Sequence, residues 1–170
     1  MLETGTNNVV LVDENDRFLG TMEKLQAHRE GRLHRAFSVV IFNQQNEILI
    51  HKRAKDKYHC GGLWTNACCS HPRENETPLE GAKRRLQEEM GFSTALEFKN
   101  SFIYKVKFDN GLFEHELDHL FIGSFDGQPK PNKDEVEDFR FISLDNLALE
   151  VENNPDDFTF WFKEILKKLI

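Results

Sequence analysis

Two carboxylates in this sequence have the spacing of a cation site. Glu114 and Glu116 lie in a β-rich stretch with one residue between them, and Asp118 lies two residues further along. Side chains two apart on a strand project from the same face. Neighbouring carboxylates repel each other unless a cation or a proton lies between them. The alternative is a solvent-exposed strand face. In either interpretation, His115 and His119 point to the opposite face.

Histidines in other parts of the chain can add ligands to this pair. His71 follows Cys69 by two residues, and His28 and His34 lie upstream. Imidazole and carboxylate together suit Zn²⁺, Mn²⁺, Fe²⁺ or Mg²⁺-like ions, and geometry decides among them. Taken singly, His28 and His34 are also compatible with surface histidines. A structural zinc site of cysteines with His71 is a further alternative, although the sequence lacks the CxxC pairs typical of such sites.

Strand and helix patterns alternate along the first half of the chain. Residues 9–12, 36–42 and 47–53 are rich in apolar and β-branched side chains and are predicted to be strands. Turn residues join the second and third strands in a hairpin. Between the first two lies a short helix, which Thr21 can cap and Gly31 can end.

That short helix places two residues of interest close together. Lys24 and His28 are four positions apart in the sequence. Residues at this spacing lie one turn apart on the same helical face. A cationic side chain and an imidazole are therefore expected to be neighbours.

The central helix has strong local signals at both ends. Thr77 is the N-cap, Pro78 occupies the first helical position, Glu80 completes a capping box and Gly91 ends the helix. The apolar stripe is predicted to contain Leu79, Ala82, Leu86 and Met90. The charged residues on the other faces are Arg84, Arg85, Glu88 and Glu89. These charges are expected to face water or a site.

The second half of the chain is dominated by strands. Residues 101–108 and 112–125 are predicted strands joined by a hairpin turn, and residues 136–142 form another. From Asn154 onward a C-terminal helix is predicted, with an inward aromatic face. That face contains Phe158, Trp161, Phe162, Ile165, Leu166 and Leu169. Strands with a few helices predict an α+β fold, a layered sandwich around a mixed β-sheet.

Composition limits the classes of protein that this chain can represent. Its 170 residues, 39% of them apolar, are enough for one substantial core, so one domain is predicted over residues 1–170. A span of about 20 apolar residues and a signal-peptide pattern are both missing, which predicts a cytoplasmic protein without a membrane segment. A net charge of −7 without a basic block argues against nucleic acid as a partner. Three cysteines are an odd number, which predicts free thiols or metal ligands rather than a disulfide framework.

Residues 70–92 resemble the Nudix box, in which Gly and Glu precede an Arg-Glu-apolar-x-Glu-Glu-x-Gly core. The spacing matches throughout, with Glu76 at the first Glu, but Ser70 replaces the initial Gly and Arg85 replaces the first Glu of the core. In a Nudix hydrolase the box helix gathers carboxylates around Mg²⁺, which binds a diphosphate and directs water to phosphorus. Arg85 removes negative charge there, and this weakens the hydrolase interpretation. The resemblance implies a Nudix-type α/β/α sandwich.

Three other segments are similar to those of type 1 isopentenyl-diphosphate isomerases, which use this fold with a degenerate box. Residues 64–72 resemble that family's Trp-Thr-Asn-x-x-Cys-x-His-Pro segment, residues 114–116 its Glu-x-Glu, and residues 32–37 its Arg-Leu-His-x-Ala-Phe. Residues 59–62 depart from the Pro-Gly expected before the Trp-Thr-Asn phrase. The resemblance implies interconversion of isopentenyl diphosphate and dimethylallyl diphosphate. The substrate would then be a small isoprenoid diphosphate, bound by a monomer or a homodimer.

The same resemblance assigns ligands and substrate contacts. One divalent ion, Mn²⁺, Mg²⁺ or Zn²⁺, would be coordinated by His28, His34, His71, Glu114 and Glu116. A Mg²⁺ ion bridging the diphosphate would be bound by Glu89. The basic residues that match positions near the diphosphate are Lys24, Arg53, Lys57 and Arg85. Solvated surface charges are the alternative for each of these four.

The implied reaction adds a proton at one carbon and removes one from another, through a tertiary carbocation-like state. The resemblance implies that Cys69 and Glu116 act on opposite faces of the substrate. A thiol with a pKa of about 8.5 can exchange a proton near neutral pH. Cys68 is the adjacent alternative, although a small buried side chain is expected there. Tyr104 would hydrogen-bond Glu116, and Trp161 would form a pocket wall, although its periodicity also places it in the core.

Two other functions are compatible with the same scaffold. One is a Nudix hydrolase that cleaves a nucleoside diphosphate derivative, which Arg85, Cys69 and His71 together disfavour. The other is a catalytically silent module that binds a metal or a diphosphate. That module would need a broken acid/base pair, whereas Cys69 and Glu116 are both present.

Overall fold

The computed structural model describes residues 7–57 and 59–169. The strands are β1 (Asn8–Val12), β2 (Phe18–Glu23), β3 (His34–Phe42), β4 (Glu47–Arg53), β5 (Trp64–Thr65), β6 (Cys68–Ser70), β7 (Leu96–Lys107), β8 (Phe113–Ser124) and β9 (Val136–Ser143). The helices are α1 (Lys24–Glu30), α2 (Pro78–Met90), α3 (Leu144–Asn153) and α4 (Phe160–Leu169), with a 3₁₀ turn at Pro155–Asp157. None of these described helices has the length and apolar character needed to cross a bilayer.

Strand β3 is the centre of a mixed sheet. It pairs in parallel with β8 over its whole length, from His34 opposite Glu116 to Phe42 opposite Ser124. It pairs antiparallel with β1, β4 and β6, while β7 and β9 pair antiparallel with β8 and β4. Strands remote in sequence are therefore brought side by side.

Side chains on both faces of this sheet are buried. Phe37, Val39 and Ile41 of β3 pack on one face in a cluster that includes Leu86 of α2. Val40 packs on the other face, in a cluster with residues of α4. This alternation follows from the two-residue period of a strand. The predicted α+β fold, an α/β/α sandwich with a mixed β-sheet, is confirmed.

Local signals for the central helix are also confirmed. The hydroxyl of Thr77 accepts a hydrogen bond from the Glu80 backbone, the Glu80 side chain accepts one from the Thr77 backbone, and Gly91 ends the helix at φ 74°. The charged residues of this helix were expected to face water or a site. Arg85 and Glu89 are both 6% exposed, so this charged pair belongs to the interior rather than to open solvent.

Three local predictions differ from the structure. Thr21 does not cap α1, because it lies within β2, and the Glu23 carboxylate accepts the hydrogen bonds from Leu25 and Gln26 instead. Strands β2, β5 and β6 and helix α3 were not predicted. The C-terminal helix begins at Phe160 rather than near Asn154, since a 3₁₀ turn comes first.

Candidate active site

The register of two parallel strands assembles the carboxylates and one histidine. His34 begins β3 directly opposite Glu116 of β8, and Glu114 lies two residues earlier on the same face of β8. Glu114 and Glu116 are 3% and 6% exposed. The alternative of a solvent-exposed strand face is therefore wrong.

Three predicted imidazoles surround these carboxylates. Nε2 of His71 lies 2.9 Å and Nε2 of His34 lies 3.3 Å from Oε1 of Glu116, and Nε2 of His28 lies 3.7 Å from Oε2 of Glu114. His28 and His34 are fully buried, which excludes surface roles for them. His28, His34, His71 and Glu116 form one group whose ligand atoms lie within 4.8 Å of one another, and Glu114 belongs to a second group that shares His28.

Backbone carbonyls orient two of the imidazoles. Nδ1 of His28 lies 2.6 Å from the Lys24 carbonyl, and Nδ1 of His34 lies 2.9 Å from the Arg32 carbonyl. An imidazole that donates from Nδ1 to a carbonyl presents an unprotonated Nε2, which is the usual arrangement of metal-ligating histidines. The prediction that Lys24 and His28 lie one turn apart is thereby confirmed.

The electrostatics of the carboxylate pair favour a bound cation. Burial and the Glu116 charge raise the pKa of Glu114 to about 8. Burial would also raise the pKa of Glu116, but hydrogen bonds with Glu114, His34 and His71 bring it well below its ordinary value. Burial lowers the pKa of His71 to about 3, so its lone pair is available at neutral pH. A neutral His71 imidazole beside the buried, ionised Glu116 carboxylate fits a divalent ion.

Cys69 is positioned by the short strand β6. This residue pairs with Ser38 of β3, and its thiol lies 3.3 Å from the Ser38 hydroxyl and 3.1 Å from Oδ1 of Asn66. Burial and the nearby Asp118 charge raise the pKa of Cys69 well above its ordinary value, so it is a neutral thiol. Cys68 packs on the opposite side of the sheet, in the cluster beneath α2, as expected for a small buried side chain.

Tyr104 contacts the free side of the Glu116 carboxylate. Its hydroxyl donates a 2.7 Å hydrogen bond to Oε2 of Glu116, from the neighbouring strand β7. Burial and the charge of Glu116 raise the pKa of this phenol well above its ordinary value. Tyr104 is therefore a neutral donor that fixes the carboxylate.

A cavity of about 730 Å³ collects most of the predicted site residues. His28 and His34 are fully buried and are not among the residues that line it. The predicted residues that line the cavity are Lys24, Arg53, Lys57, Cys69, His71, Arg85, Glu89, Tyr104, Glu114, Glu116 and Trp161. All four basic residues proposed for the diphosphate thus border the same space as Cys69 and Glu116.

Arg53 and Trp161 meet at one wall of this cavity. The Arg53 guanidinium lies 5.2 Å from the Trp161 ring centroid, within the range of a cation–π contact. The register of β4 with β9 shifts between Lys52 and Arg53, as at a β-bulge. Trp161 is also part of the core cluster on this side of the sheet, so its core and cavity roles are both present.

A buried ionic network forms another wall. Arg85 donates to Oε1 of Glu89 at 2.9 Å and lies 3.5 Å from Glu135, which also contacts the Lys57 ammonium. Burial would raise the pKa of Glu89, but the Arg85 guanidinium, His51 and Lys57 lower it. Glu89 is therefore an ionised carboxylate that fits Mg²⁺.

Three site residues, His59, Glu135 and Ser38, were missed by the sequence analysis. His59 and Glu135 line the cavity, and Ser38 connects Cys69 with Asp118 through a 2.6 Å hydrogen bond. Asp118, which the two-residue spacing predicted on the face of Glu114 and Glu116, is buried beside them. Neither ligand group within residues 7–57 and 59–169 contains a cysteine, so the zinc–cysteine alternative has no support.

Comparison with known proteins identifies the family. The NUDIX domain model matches residues 32–162. The isopentenyl-diphosphate Delta-isomerase of Pectobacterium atrosepticum is 48% identical over 155 residues, covering 91% of this chain and 87% of the relative. Isopentenyl-diphosphate Delta-isomerase 2 of Aromatoleum aromaticum is 44% identical over 164 residues, covering 96% and 87%. The chain belongs to the isopentenyl-diphosphate Delta-isomerases of the Nudix family.

Solved structures support the family's fold in this chain. A crystal structure from Deinococcus radiodurans has a TM-score of 0.80 at 17% identity and covers 95% of this chain and 98% of its own. The MutT protein of Methanosarcina mazei has a TM-score of 0.66 at 16% identity and covers 80% and 91%. At such low identity the similarity concerns the Nudix fold alone.

Proposed function

We propose that this protein interconverts isopentenyl diphosphate and dimethylallyl diphosphate. One observation carries the proposal: a neutral thiol and a hydrogen-bonded carboxylate, Cys69 and Glu116, line one cavity bordered by basic residues. Family membership gives the reaction, and this arrangement supplies the two proton-transfer groups that it needs. Arg85 at a position where the hydrolase box has Glu supports isomerisation over hydrolysis.

Cys69 and Glu116 would exchange protons with the two faces of the hydrocarbon chain. The neutral thiol carries a proton that it can donate, and the ionised carboxylate can accept one. The Tyr104 hydroxyl holds one oxygen of Glu116 and fixes its direction. In the reverse reaction each group takes the other role.

The cavity wall would hold and close over the substrate. Lys24, Arg53, Lys57 and Arg85 would bind the diphosphate oxygens, and the Trp161 ring would face the developing positive charge. Buried aromatic walls exclude the water that would trap a carbocation. Divalent ions would supply positive charge, with Mg²⁺ at Glu89 and the diphosphate and a second ion, Mn²⁺, Mg²⁺ or Zn²⁺, at the histidines and Glu114 and Glu116.

The direct experiment follows isopentenyl diphosphate by NMR in deuterated water with Mg²⁺. Dimethylallyl diphosphate that carries deuterium, formed without release of phosphate, is the expected result. Release of phosphate, or turnover of nucleoside diphosphates without turnover of this substrate, would favour the hydrolase alternative and contradict the proposal.

Two variants test the roles of the proton-transfer groups. Cys69→Ala is expected to abolish isomerisation while binding of the diphosphate is retained, and Cys68→Ala is the matched control because that thiol packs beneath α2. Glu116→Gln is expected to lose activity and to bind metal more weakly. Near-normal turnover by Cys69→Ala, or full metal occupancy in an active Glu116→Gln protein, would remove that residue from its proposed role.

We also infer the setting of this reaction. The partner is the small-molecule substrate, the protein acts in the cytoplasm as a monomer or a homodimer, and residues 1–170 work as one domain. Gel filtration of the active protein tests the oligomeric state. Fractionation of cells tests the location.

A further inference from the structure

His59 brings a fourth imidazole to the carboxylate pair. This residue lies in the loop between β4 and β5 and is 7% exposed. Its Nε2 lies 2.6 Å from Oε1 of Glu114, whereas His28 approaches the other oxygen of the same carboxylate at 3.7 Å. The loop therefore places a neighbour on the side of Glu114 that no predicted ligand occupies.

Aromatic side chains fix the His59 ring in place. The ring stacks on Phe108, with centroids 5.1 Å apart and an interplanar angle of 29°, and it meets the Trp161 ring edge-on at 5.7 Å. The His59 carbonyl accepts a hydrogen bond from Arg53 at 3.3 Å. A ring held from several sides loses little conformational freedom when it binds an ion.

The donor atoms form two neighbouring groups that share His28. Ligand atoms of His28, His59 and Glu114 all lie within 4.8 Å of one another, and His28 is shared with the group that contains His34, His71 and Glu116. With metal–ligand bonds of about 2.1 Å, adjacent ligands of an octahedral ion are about 3 Å apart and opposite ligands about 4.2 Å. The nitrogen–oxygen separations of 2.6, 2.9, 3.3 and 3.7 Å scatter around the adjacent value.

We propose that His59 is a direct ligand of the divalent ion at this centre, which then has four imidazoles and two carboxylates. The proposal rests on the proposed metal function of the other five residues. Imidazole nitrogen suits transition ions, whereas Mg²⁺ prefers oxygen ligands and bound water. The centre therefore selects Mn²⁺, Fe²⁺, Co²⁺ or Zn²⁺ over Mg²⁺ and leaves Mg²⁺ to Glu89 and the diphosphate.

The test counts coordinated imidazoles without substrate. Metal-free protein is loaded with Mn²⁺ for pulsed EPR of the bound nitrogens, and with Zn²⁺ for X-ray absorption. The variants are His59→Gln and His59→Phe, the latter retaining a ring against Phe108. His115→Gln is the matched control, because His115 contacts the Gly31 carbonyl at 3.0 Å and belongs to neither ligand group. Thermal unfolding of each metal-free variant establishes that it is folded.

Wild-type protein and His115→Gln are expected to show four coordinated imidazoles, and both His59 variants three. The Kd for Mn²⁺ is expected to rise at least about 10-fold in the His59 variants. Equal imidazole counts in the wild-type protein and the His59 variants would overturn the proposal, even if the affinity for Mn²⁺ fell. In that case His59 would only support Glu114 by a hydrogen bond. Two ions bound among the four imidazoles, Glu114 and Glu116 of the wild-type chain would also overturn the single sphere.

His34→Gln separates this inference from the proposed centre itself. If His34→Gln lowers the imidazole count and His59→Gln does not, the centre exists and His59 is not a ligand. If neither substitution changes the spectra or the affinity, the proposed metal centre fails as a whole. Loss of one imidazole in each variant supports both proposals.

Discussion

The hydroxyl of Tyr104 donates a 2.7 Å hydrogen bond to Oε2 of Glu116, while Oε1 of the same carboxylate faces His34 and His71 at 3.3 and 2.9 Å. The two oxygens thus have separate partners. One is held by a neutral phenol and the other by the imidazoles. Separate partners for the two oxygens keep the Glu116 carboxylate in one orientation. The carboxylate can then exchange protons with a substrate in the cavity.

Tyr104→Phe removes the phenol and leaves the ring. We expect kcat to fall about 10- to 100-fold, because a misdirected Glu116 transfers protons poorly. The Kd for Mn²⁺ should stay within about 3-fold, since the imidazoles remain. Steady-state kinetics and calorimetry measure the two quantities. An unchanged kcat would show that Glu116 needs no such support.

Glu135→Gln tests the ionic network beside the cavity. Glu135 holds the Lys57 ammonium and lies 3.5 Å from Arg85, so an entering diphosphate must compete with it. Removing the charge should lower the Kd for pyrophosphate about 3- to 10-fold, measured by calorimetry in EDTA. The control is Glu137→Gln, the same charge change on a residue 4.0 Å from Lys52 and Lys55. Weaker binding in Glu135→Gln would instead show that the carboxylate positions the two cations.

Asp118→Asn tests the pH dependence of stability. Burial and the Glu116 charge raise the pKa of Asp118 to about 8 in the folded protein. The folded state therefore retains a proton that the unfolded chain releases near pH 4. This contribution is complete below the unfolded pKa and is lost as pH rises through about 8.

The measurement is urea unfolding in EDTA between pH 5 and pH 8.5. Wild-type protein should lose stability across that range, and Asp118→Asn should lose less, because an amide does not titrate. Asp156→Asn, an exposed position on the 3₁₀ turn, serves as the control and should follow the wild type. Parallel curves for Asp118→Asn and wild type would contradict the assignment.

Leu86→Ala tests the packing of the helix that carries Arg85 and Glu89. Leu86 is fully buried in the cluster between α2 and the sheet. Deleting its side chain should lower the free energy of unfolding by about 2 to 5 kcal/mol. Leu149→Ala, at a position 57% exposed, should change it by less than about 0.5 kcal/mol. Equal effects of the two substitutions would mean that α2 does not depend on this contact.

Local signals predicted the central helix and the longer strands well. The Thr77 capping box, Gly91 and the apolar stripe act within a few residues of chain, so the sequence contains them completely. The two-residue spacing of Glu114 and Glu116 predicted their common face for the same reason. The ligand histidines depended on family resemblance, because sequence spacing alone allowed surface positions for His28 and His34.

Features that arise from tertiary contacts were not predictable in this way. Strands β5 and β6 have two and three residues, too few for a periodic pattern. They form because they pair with β4 and β3. Glu23 caps α1 from the end of a strand that was not predicted. His59 and Glu135 reach the site through loop positions that no local pattern links to the carboxylates.

The parallel alignment of β3 with β8 would make the proposed cation centre dependent on correct folding. His34 and Glu116 face each other only in this register. A slip of one residue would turn every side chain of the strand to the opposite face, and the ligands would separate. An ion that binds only correctly aligned chains shifts the equilibrium from misaligned to aligned chains by mass action. A bound ion would thus favour the correct alignment of β3 with β8 during folding, before any substrate is present.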